Sequence, residues 1–416
     1  MSNELQFEIP SWMNIDYFEN VLKEITKDAR TLLHSIEFGP ASRAGDGFAS
    51  TIFRVNCVYD APHHENKFNE KISLIVKTEP IEEGLKKIML NHERAFRTEI
   101  KMYSEVLPKI ELALTKALQK PIKIGPSLLF QSLTPAPVII LEDLIELGCE
   151  MSETTFGYDE SLLVVTRLAQ LHAASVYVNQ NQIDLSQIRN SFFHIDKTKD
   201  FCIADRLISQ SLKLFIEAAE KRDDYSPVVI ERLKYFCDHF IELLEEVYVS
   251  TENKKYFVLT HNDYHRKNMV FKKKNDKIVD FYLFDYQFCL WSTPVIDLFY
   301  FFYQICSKET RQKYRPDLIR SYFEEYQKIL KALNCNTSIV IPCLEELDNE
   351  FLKFKAAEVM QVVCFYKYQF MSWTDEDLKK LGKLDHFTQT KAIYAGNLFH
   401  AAVKPELERL LLNEGF

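Results

Sequence analysis

The chain has 416 residues, 47% hydrophobic and 27% charged, a composition that supports a folded protein with more than one lobe. Its net charge of −9 argues against a general nucleic-acid-binding protein, which needs a basic surface, but still allows a nucleotide substrate. The nine cysteines form no CxxC pair, so we expect reduced thiols. The first residues do not resemble a signal peptide, so we expect a cytoplasmic protein. No apolar run reaches about 18 residues, so we expect no membrane contact.

The predicted elements divide the chain into a β-rich part and a helical part. Apolar spacings of three and four predict a helix over residues 11–36 and a long helix over 85–118, and strands are predicted at 51–59, 71–77, 124–130 and 137–143. Helical periods then cover 160–179, 201–219, 227–248, 309–333, 343–372 and 386–413, interrupted by a strand-rich island at 256–288. This order predicts an α+β, bilobal fold with a small β-rich N-lobe at 1–143 and a larger, mainly helical C-lobe at 144–416.

The strand-rich island carries residues that are typical of phosphoryl transfer. An apolar strand leads into Asp263, Asn268 follows five positions later, and a predicted hairpin returns Asp285 to the same loop. Phosphoryl transfer needs a positioned acceptor hydroxyl, a base for its proton, and a metal that meets the phosphate charge. Asp263 suits the base, and the oxygens of Asn268 and Asp285 suit octahedral Mg²⁺. The pattern H-x-D-x-x-x-x-N with a later strand-borne Asp therefore predicts a kinase-type site.

Two other interpretations of the island stay open. Asp and Asn are common in turns, so these residues could simply cap a hairpin. His261 and His265, four residues apart, could share a zinc ion with a carboxylate, although that spacing suits a helix and the preceding residues predict a strand.

The amino-terminal third supplies groups suited to a nucleotide. Lys77 ends a predicted strand, where its ammonium would reach the α- and β-phosphates of ATP, and Glu99 on the following helix is predicted to pair with it. Gly45, Gly47 and Ser50 can form a turn between two strands. Because glycine permits close backbone approach, the N–H groups of this turn would cover the phosphates.

The segment 138–144 passes from an apolar strand into an acidic turn where the lobes would join. Backbone groups from Glu142 to Leu144 are predicted to hydrogen-bond the adenine edge. Farther along, His172 shares a helix face with Leu168 and Leu171, so we interpret it as a core histidine that packs beneath the catalytic loop.

Several motifs together resemble one known family. GDGFAS, IVK, F-x-x-E-I-x-x-Y, LEDL, LAQLHAAS, H-x-D-x-x-x-x-N, FDYQ and PVIDLFYF resemble the ecdysteroid-kinase-like proteins, an insect-expanded group also called CHK-kinase-like and related to choline and aminoglycoside kinases. The resemblance runs from the opening IPSWMN to about residue 305. It implies a bilobal protein-kinase-like fold, ATP and Mg²⁺, and phosphorylation of a hydroxyl on a steroid hormone or a foreign compound.

The residues named above keep their roles under this resemblance, which adds Asp297 as a residue that braces the catalytic loop. Two positions depart from the family pattern: Asn262 stands where Gly is usual, and Lys267 stands where Asn is frequent. Asn is the least costly replacement for Gly at positive φ, so activity should survive. Lys267 is expected to face solvent, and the alternative is a cation near the γ-phosphate.

The sequence therefore predicts an ATP- and Mg²⁺-dependent kinase that phosphorylates a hydroxyl of a small molecule, with an ecdysteroid or similar apolar polyol as the best choice. A kinase for hydroxylated xenobiotics and a catalytically dead ligand-binding protein are the alternatives. A protein kinase is disfavoured because Asp-Phe-Gly and Ala-Pro-Glu motifs are missing, and a monomer is favoured. The aromatic-rich segments 299–303 and 362–373 suit an apolar acceptor pocket, a choline cage or ordinary core.

Overall fold

The computed structural model describes residues 9–41, 51–62, 67–79, 94–188, 205–248, 256–333, 343–370 and 386–413. Its strands are β1 (Leu32–Pro40), β2 (Thr51–Ala61), β3 (Lys67–Thr78), β4 (Leu128–Ser132), β5 (Val138–Glu142), β6 (Cys149–Glu150), β7 (Val258–Thr260), β8 (Met269–Lys274), β9 (Lys277–Leu283) and β10 (Leu290–Ser292). Its helices are α1 (Ile15–Thr26), α2 (Arg94–Lys101), α3 (Leu107–Leu118), α4 (Tyr158–Asn181), α5 (Gln210–Ala219), α6 (Pro227–Tyr248), α7 (Val295–Tyr300), α8 (Lys308–Ala332), α9 (Leu344–Lys353), α10 (Lys355–Met360), α11 (His386–Ala395) and α12 (Asn397–Glu408).

Five antiparallel strands build the small lobe, in the order β1-β2-β3-β5-β4. Alternation along β2 buries Phe53, Val55 and Cys57 on one face of the sheet, where α1 packs Phe18 and Leu22. A slip of one residue would expose this apolar set, so the core fixes the register of β2 against β3.

The predicted helix over residues 11–36 is wrong in its second half. α1 ends at Thr26, and Lys27 turns the chain with a left-handed conformation at φ 54°. Residues from Leu32 onward then form β1, which pairs with β2 and buries Leu33 in the core of the small lobe. Backbone pairing and burial in the sheet override a helical spacing that was weak in this half.

The other predicted strands of the small lobe are confirmed, with one change of boundary. The strand predicted at 124–130 begins only at Leu128. Gly125 and Pro126 precede it, and Pro cannot donate to a strand ladder.

The long helical segment after β3 connects the small lobe and the large lobe. α2 and α3 are joined by one turn of π-helix, Met102–Val106, and form a continuous rod. Met102, Val106 and Ile110 are buried, and they pack in the same apolar core as the helical lobe. The rod therefore connects the strands of the small lobe to the large lobe.

α4 is the central helix of the large lobe and packs along α8. Within the described part of the chain it is the one helix that is long and apolar enough to cross a membrane, and 72% of its apolar stretch is buried inside the protein. That burial is the usual situation of a core helix.

The strand-rich island predicted at 256–288 is confirmed. β7 pairs with β10, and β8 and β9 form a hairpin to which β6 adds a third strand. The loop between β7 and β8 and the end of β9 meet where the small lobe joins the large one. An antiparallel sheet lobe followed by a mainly helical lobe makes this the predicted bilobal, kinase-like α+β fold.

Candidate active site

A cavity of about 140 Å³ lies between the two lobes. Ile52 and Ile75 contribute apolar walls from the sheet, and Val270 contributes one from the large lobe. The predicted residues that line it are Lys77, Glu99, Glu142, Leu144, Asn268 and Asp285. A more open groove of about 560 Å³, lined in part by Arg97 and Lys101, contains none of these predicted residues. The cavity between the lobes is therefore the candidate nucleotide site.

Lys77 joins the two halves of this cavity. Its Nζ lies 2.6 Å from Glu99 Oε2 and also 2.6 Å from Asp285 Oδ1. The predicted ion pair with Glu99 is thus present, and the contact with Asp285 was not predicted. Both Lys77 and Glu99 are buried, at 4% and 1% exposure. A buried ammonium between two carboxylates is held in one position for a phosphate ligand.

The opposite charges of Lys77 and of the carboxylates of Glu99 and Asp285 reduce the free-energy cost of burying these groups. Burial disfavours the charged form of Lys77, but the Asp285 and Glu99 carboxylates outweigh it and raise the pKa of the ammonium. Burial raises the pKa of Glu99 and Asp285 adds to the rise, while Lys77 acts in the opposite direction. Lys77 therefore opposes the neutralisation of Glu99 that burial favours.

Asp263 lies in the loop between β7 and β8. Asn268 Nδ2 donates to Asp263 Oδ2 at 3.0 Å, and His265 Nε2 lies 3.2 Å from Asp263 Oδ1. Burial acts to raise the pKa of Asp263, but the contact with His265, the His261 ring and the Asn268 amide outweigh it, so the pKa is lowered. The carboxylate is ionised at neutral pH, as a proton acceptor must be.

Asn268 and Asp285 offer oxygen atoms suited to a hard cation. Asn268 uses its amide nitrogen on Asp263, which leaves the amide oxygen available. Asp285 Oδ1 meets Lys77, and Oδ2 accepts a long 3.3 Å bond from Gln287. The Asp285 backbone is left-handed, at φ 66°, and Phe284 N donates to Asn268 O at 3.0 Å, which joins the two positions. One carboxylate and one amide fit Mg²⁺, which takes few protein ligands beside phosphate oxygens.

The alternative zinc site is not formed. His261 Nε2 donates to the carbonyl of Phe284 at 3.0 Å, and His265 meets Asp263. Within the ranges that the structure describes, no three His, Cys, Asp or Glu side chains are arranged to hold a metal ion. Burial also lowers the pKa of His261, so this ring is neutral and structural.

Asp297 braces the catalytic loop as the resemblance implied. Its two carboxylate oxygens accept the backbone N–H groups of His261 at 2.6 Å and Asn262 at 2.7 Å. His172 is fully buried beneath the loop, with Nε2 3.1 Å from Asp297 and Nδ1 2.8 Å from Tyr322 Oη. Asn262 has φ 59°, the positive value that makes Gly or Asn the suitable residue.

The hinge between the lobes is only partly free to bind a base. The N–H of Glu142 donates to Ser127 O, and the carbonyl of Leu144 accepts from Leu147 and Cys149. An adenine base would therefore use the other backbone groups of this segment. The predicted phosphate-covering residues Gly45, Gly47 and Ser50 lie outside the described residues.

Three residues at this hinge escaped the sequence analysis. Asp143 is buried and accepts from Arg54 Nε at 2.6 Å and Ser73 Oγ at 2.7 Å. These bonds fasten the hinge to β2 and β3 and hold the Arg54 guanidinium at the cavity wall. The acidic residue in LEDL was the available signal, but its partners lie 70 and 89 positions away.

For Lys267 the sequence left two positions open, one facing solvent and one near the γ-phosphate. Its side chain is exposed, as expected, and it also lies at the rim of the cavity beside Asn268 and Asp285. A cation therefore lies at the edge of the candidate nucleotide site.

The sequence model of the Ecdysteroid kinase-like family matches residues 44–335, more than half of the chain. A putative fructosamine-3-kinase from Haemophilus somnus 129PT aligns with a TM-score of 0.39 and 12% identity, over 92% of this chain and 96% of that one. The GDP complex of wild-type aminoglycoside 2'-phosphotransferase-IIIa aligns with a TM-score of 0.35 and 12% identity, over 92% of this chain and 97% of that one.

No curated protein matches the chain in sequence. The family match covers both lobes, including the Lys77–Glu99 pair and the loop that carries Asp263. The chain belongs to the ecdysteroid kinase-like family and is a phosphotransferase of the small-molecule kinase type.

Proposed function

We propose that the protein is an ATP- and Mg²⁺-dependent kinase that phosphorylates a hydroxyl group of an ecdysteroid or a similar apolar polyol. The observation that carries the proposal is the arrangement around one cavity of Lys77, paired with Glu99, and of Asn268 and Asp285, with ionised Asp263 bonded to Asn268. The raised pKa of Lys77 and the lowered pKa of Asp263 favour the charged forms that phosphoryl transfer requires of these two groups.

In the proposed reaction, Asp263 orients the acceptor hydroxyl and takes its proton. The acceptor oxygen forms a bond to the γ-phosphorus of ATP while the bond between this phosphorus and the β,γ-bridging oxygen breaks, which releases ADP. Lys77 holds the α- and β-phosphates, and Glu99 keeps the ammonium in place. Asn268 and Asp285 would hold Mg²⁺, which supplies charge neutralisation of the phosphates.

The family match and the apolar C-lobe support a rigid, largely apolar acceptor. Tyr300 and Phe365 lie with ring centroids 6.0 Å apart on the large-lobe side of the catalytic loop, and Phe365 contacts Tyr368 at 6.4 Å. A rigid, apolar ligand that is buried against such rings gains binding free energy and loses little conformational entropy. Xenobiotic polyols share this chemistry and are the second class of acceptor.

The test is phosphate transfer followed by mass spectrometry. The protein is incubated with Mg²⁺ and ATP together with 20-hydroxyecdysone, a phenolic glycoside, choline or kanamycin at matched concentrations. We expect a mass increase of one phosphate on the ecdysteroid, lost when excess chelator removes Mg²⁺. Transfer that continues undiminished in chelator contradicts the metal requirement, and transfer confined to choline or kanamycin contradicts the acceptor class.

A further inference from the structure

Two helical segments on the large-lobe side of Asp263 carry buried polar groups that the catalytic residues do not use. One is a turn of π-helix at Phe301–Ile305, directly after Tyr300, and the other is a turn of π-helix at Gln361–Phe365, which continues to Phe370. Single π-turns inside helices are rare and frequent at functional sites. Five polar residues of these segments are here called the amide wall: Tyr300, Gln304, Gln361, Tyr368 and Gln369.

Hydrogen bonds connect the amide wall to the catalytic loop. Arg266, three residues after Asp263, donates from Nη2 to Gln369 Oε1 at 2.9 Å. Gln369 Nε2 in turn donates to the side-chain oxygen and the carbonyl of Gln304, each at 3.1 Å. The wall is thus held at a fixed position relative to the catalytic base.

The phenols of the wall lie within electrostatic range of the base. Burial raises the pKa of Tyr300, and the Asp263 carboxylate raises it further. Burial also raises the pKa of Tyr368, again with a contribution from Asp263. The two phenols and the Asp263 carboxylate therefore lie in the same part of the large lobe.

Two amides of the wall are buried with at least one polar atom that has no hydrogen bond of good geometry among the described residues. Gln361 is 1% exposed and its amide interacts with the Tyr300 hydroxyl, which acts to lower the pKa of that phenol, yet among the described residues neither amide atom has a partner at good hydrogen-bonding geometry. Gln304 is 5% exposed, and its Nε2 also lacks a partner in the described part of the chain. Unsatisfied buried amides cost folding free energy, and their presence is explained when a ligand completes them.

The lack of acidic residues in the two segments that carry the wall favours a neutral ligand over a cationic one. Residues 300–305 and 361–370 contain no Asp or Glu, and their charged residue is Lys367. Arg266, bonded to Gln369, adds a second cation. A cationic acceptor such as choline or an aminoglycoside would find no carboxylate on these segments, whereas an amide both donates to and accepts from a neutral hydroxyl or ketone.

We propose that Gln361, Gln304 and Tyr300 bind the acceptor, and hold one polar group of a neutral, polyhydroxylated molecule while another of its hydroxyls meets Asp263. This inference rests on the proposed kinase function and deepens it, because it assigns the residues that determine acceptor specificity. None of these three residues lines the cavity between the lobes that is the candidate nucleotide site.

The test compares Gln361→Leu with the wild type, using 20-hydroxyecdysone as the neutral probe and kanamycin and choline as cationic probes. Binding of each probe to the ADP- and Mg²⁺-loaded protein is measured by calorimetry, with KM for ATP and Tm measured in parallel. We expect the wild type to bind the neutral probe alone, and Gln361→Leu to raise its Kd at least about tenfold, since a site built to bond a polar group loses much when the bond is removed. KM for ATP should stay unchanged.

Stability separates a binding role from a structural one. Leucine replaces a buried amide that makes no hydrogen bond of good geometry among the described residues, so Tm of Gln361→Leu should equal or exceed that of the wild type. Gln170→Leu is the matched control, because Gln170 is also buried but donates to Glu325 at 2.7 Å and accepts from Arg167. That control should lower Tm without changing the Kd of the probe.

Three outcomes overturn the inference: a lower Tm of Gln361→Leu with unchanged Kd, preferred binding of kanamycin or choline, or no binding of any probe. Chelator-sensitive ATP turnover in those cases would leave the kinase proposal standing. Failure of the kinase proposal is recognised separately, as the absence of any Mg²⁺-dependent ATP binding or turnover.

Discussion

Under the proposed function, individual side chains at the candidate active site divide into those that act on the acceptor proton and those that hold the nucleotide and metal. Asp263 is bonded to Asn268 and His265 and is 23% exposed, whereas Asp285 is bonded to Lys77 across the cavity. Removal of each carboxylate should therefore have a different kinetic effect.

Asp263→Asn should reduce kcat by about 10²–10⁴-fold and leave KM for ATP nearly unchanged, because the amide fills the same space and cannot accept the proton. Asp285→Ala should weaken Mg²⁺ and ATP binding together. Steady-state kinetics with titrated Mg²⁺ and ATP distinguish the two. Equal losses of nucleotide affinity in both variants would show that the division of roles is wrong.

Lys77 illustrates how a buried charge depends on its partners. Lys77→Met leaves the Glu99 carboxylate buried with no cation beside it, and breaking a buried pair in this way costs about 3–5 kcal/mol of folding free energy. In the double variant Lys77→Met/Glu99→Gln, the second change should restore a large part of that loss. Urea unfolding of the two single variants and the double variant measures the coupling. Additive losses would contradict the proposed dependence of Glu99 on Lys77.

At the scale of an element, the catalytic loop is shaped by one backbone angle and one carboxylate. Asp297 accepts the two consecutive N–H groups of His261 and Asn262, and the positive φ of Asn262 sets the direction of the chain directly after them, at Asp263. A residue that resists positive φ would disturb both bonds and shift Asp263, the next residue.

Asn262→Gly should keep kcat and stability close to wild type, within about 1 kcal/mol, because glycine adopts φ 59° freely. Asn262→Ala should lose about 1–2 kcal/mol of stability and several-fold in kcat, since its Cβ opposes the left-handed conformation. Thermal unfolding and turnover of both variants provide the comparison. An alanine variant as active and stable as the glycine variant would show that this angle is not essential to the loop.

The same element shows what the sequence could and could not predict. The order of strand, Asp263, Asn268, hairpin and Asp285 was predictable because each step is local, and the positive φ at residue 262 followed from a substitution at a glycine position. The contact between Lys77 and Asp285 was not, because it joins residues 208 positions apart through the packing of two lobes. β1 was missed for a similar reason: its strand conformation depends on pairing with β2.

At the scale of the whole molecule, the helical lobe places several charges in its interior and pairs most of them. Arg315 forms two bonds to Glu358, at 2.7 and 3.0 Å, and Arg311 pairs with buried Glu406 at 2.9 Å. Lys367 differs: it is 1% exposed, and among the described residues its ammonium donates hydrogen bonds to the hydroxyl groups of Ser211 and Thr390. No carboxylate of the described residues lies within ion-pairing distance of its ammonium, and burial lowers the pKa of Lys367 to about 8.

The lowered pKa of Lys367 predicts a stability that depends on pH. Below about pH 8 the ammonium is charged in both states, and the folded protein carries the full cost of burying it, about 3 kcal/mol against an unfolded pKa near 10.4. As pH rises from 8 toward 10, the folded state releases this proton before the unfolded state does, so the cost declines.

Lys367→Met should therefore stabilise the protein at pH 7, and the gain should shrink as pH approaches 10. Two hydroxyls lose a partner in this variant, at about 1 kcal/mol each, so the net gain at pH 7 should be about 1–2 kcal/mol. Urea unfolding of the variant and the wild type at pH 7 and pH 9.5 measures the difference. Lys213→Met, at an exposed lysine of α5, is the control and should show no such pH-dependent gain. A gain for Lys367→Met that is equal at both pH values would mean that better apolar packing, rather than removal of a buried charge, stabilises the variant.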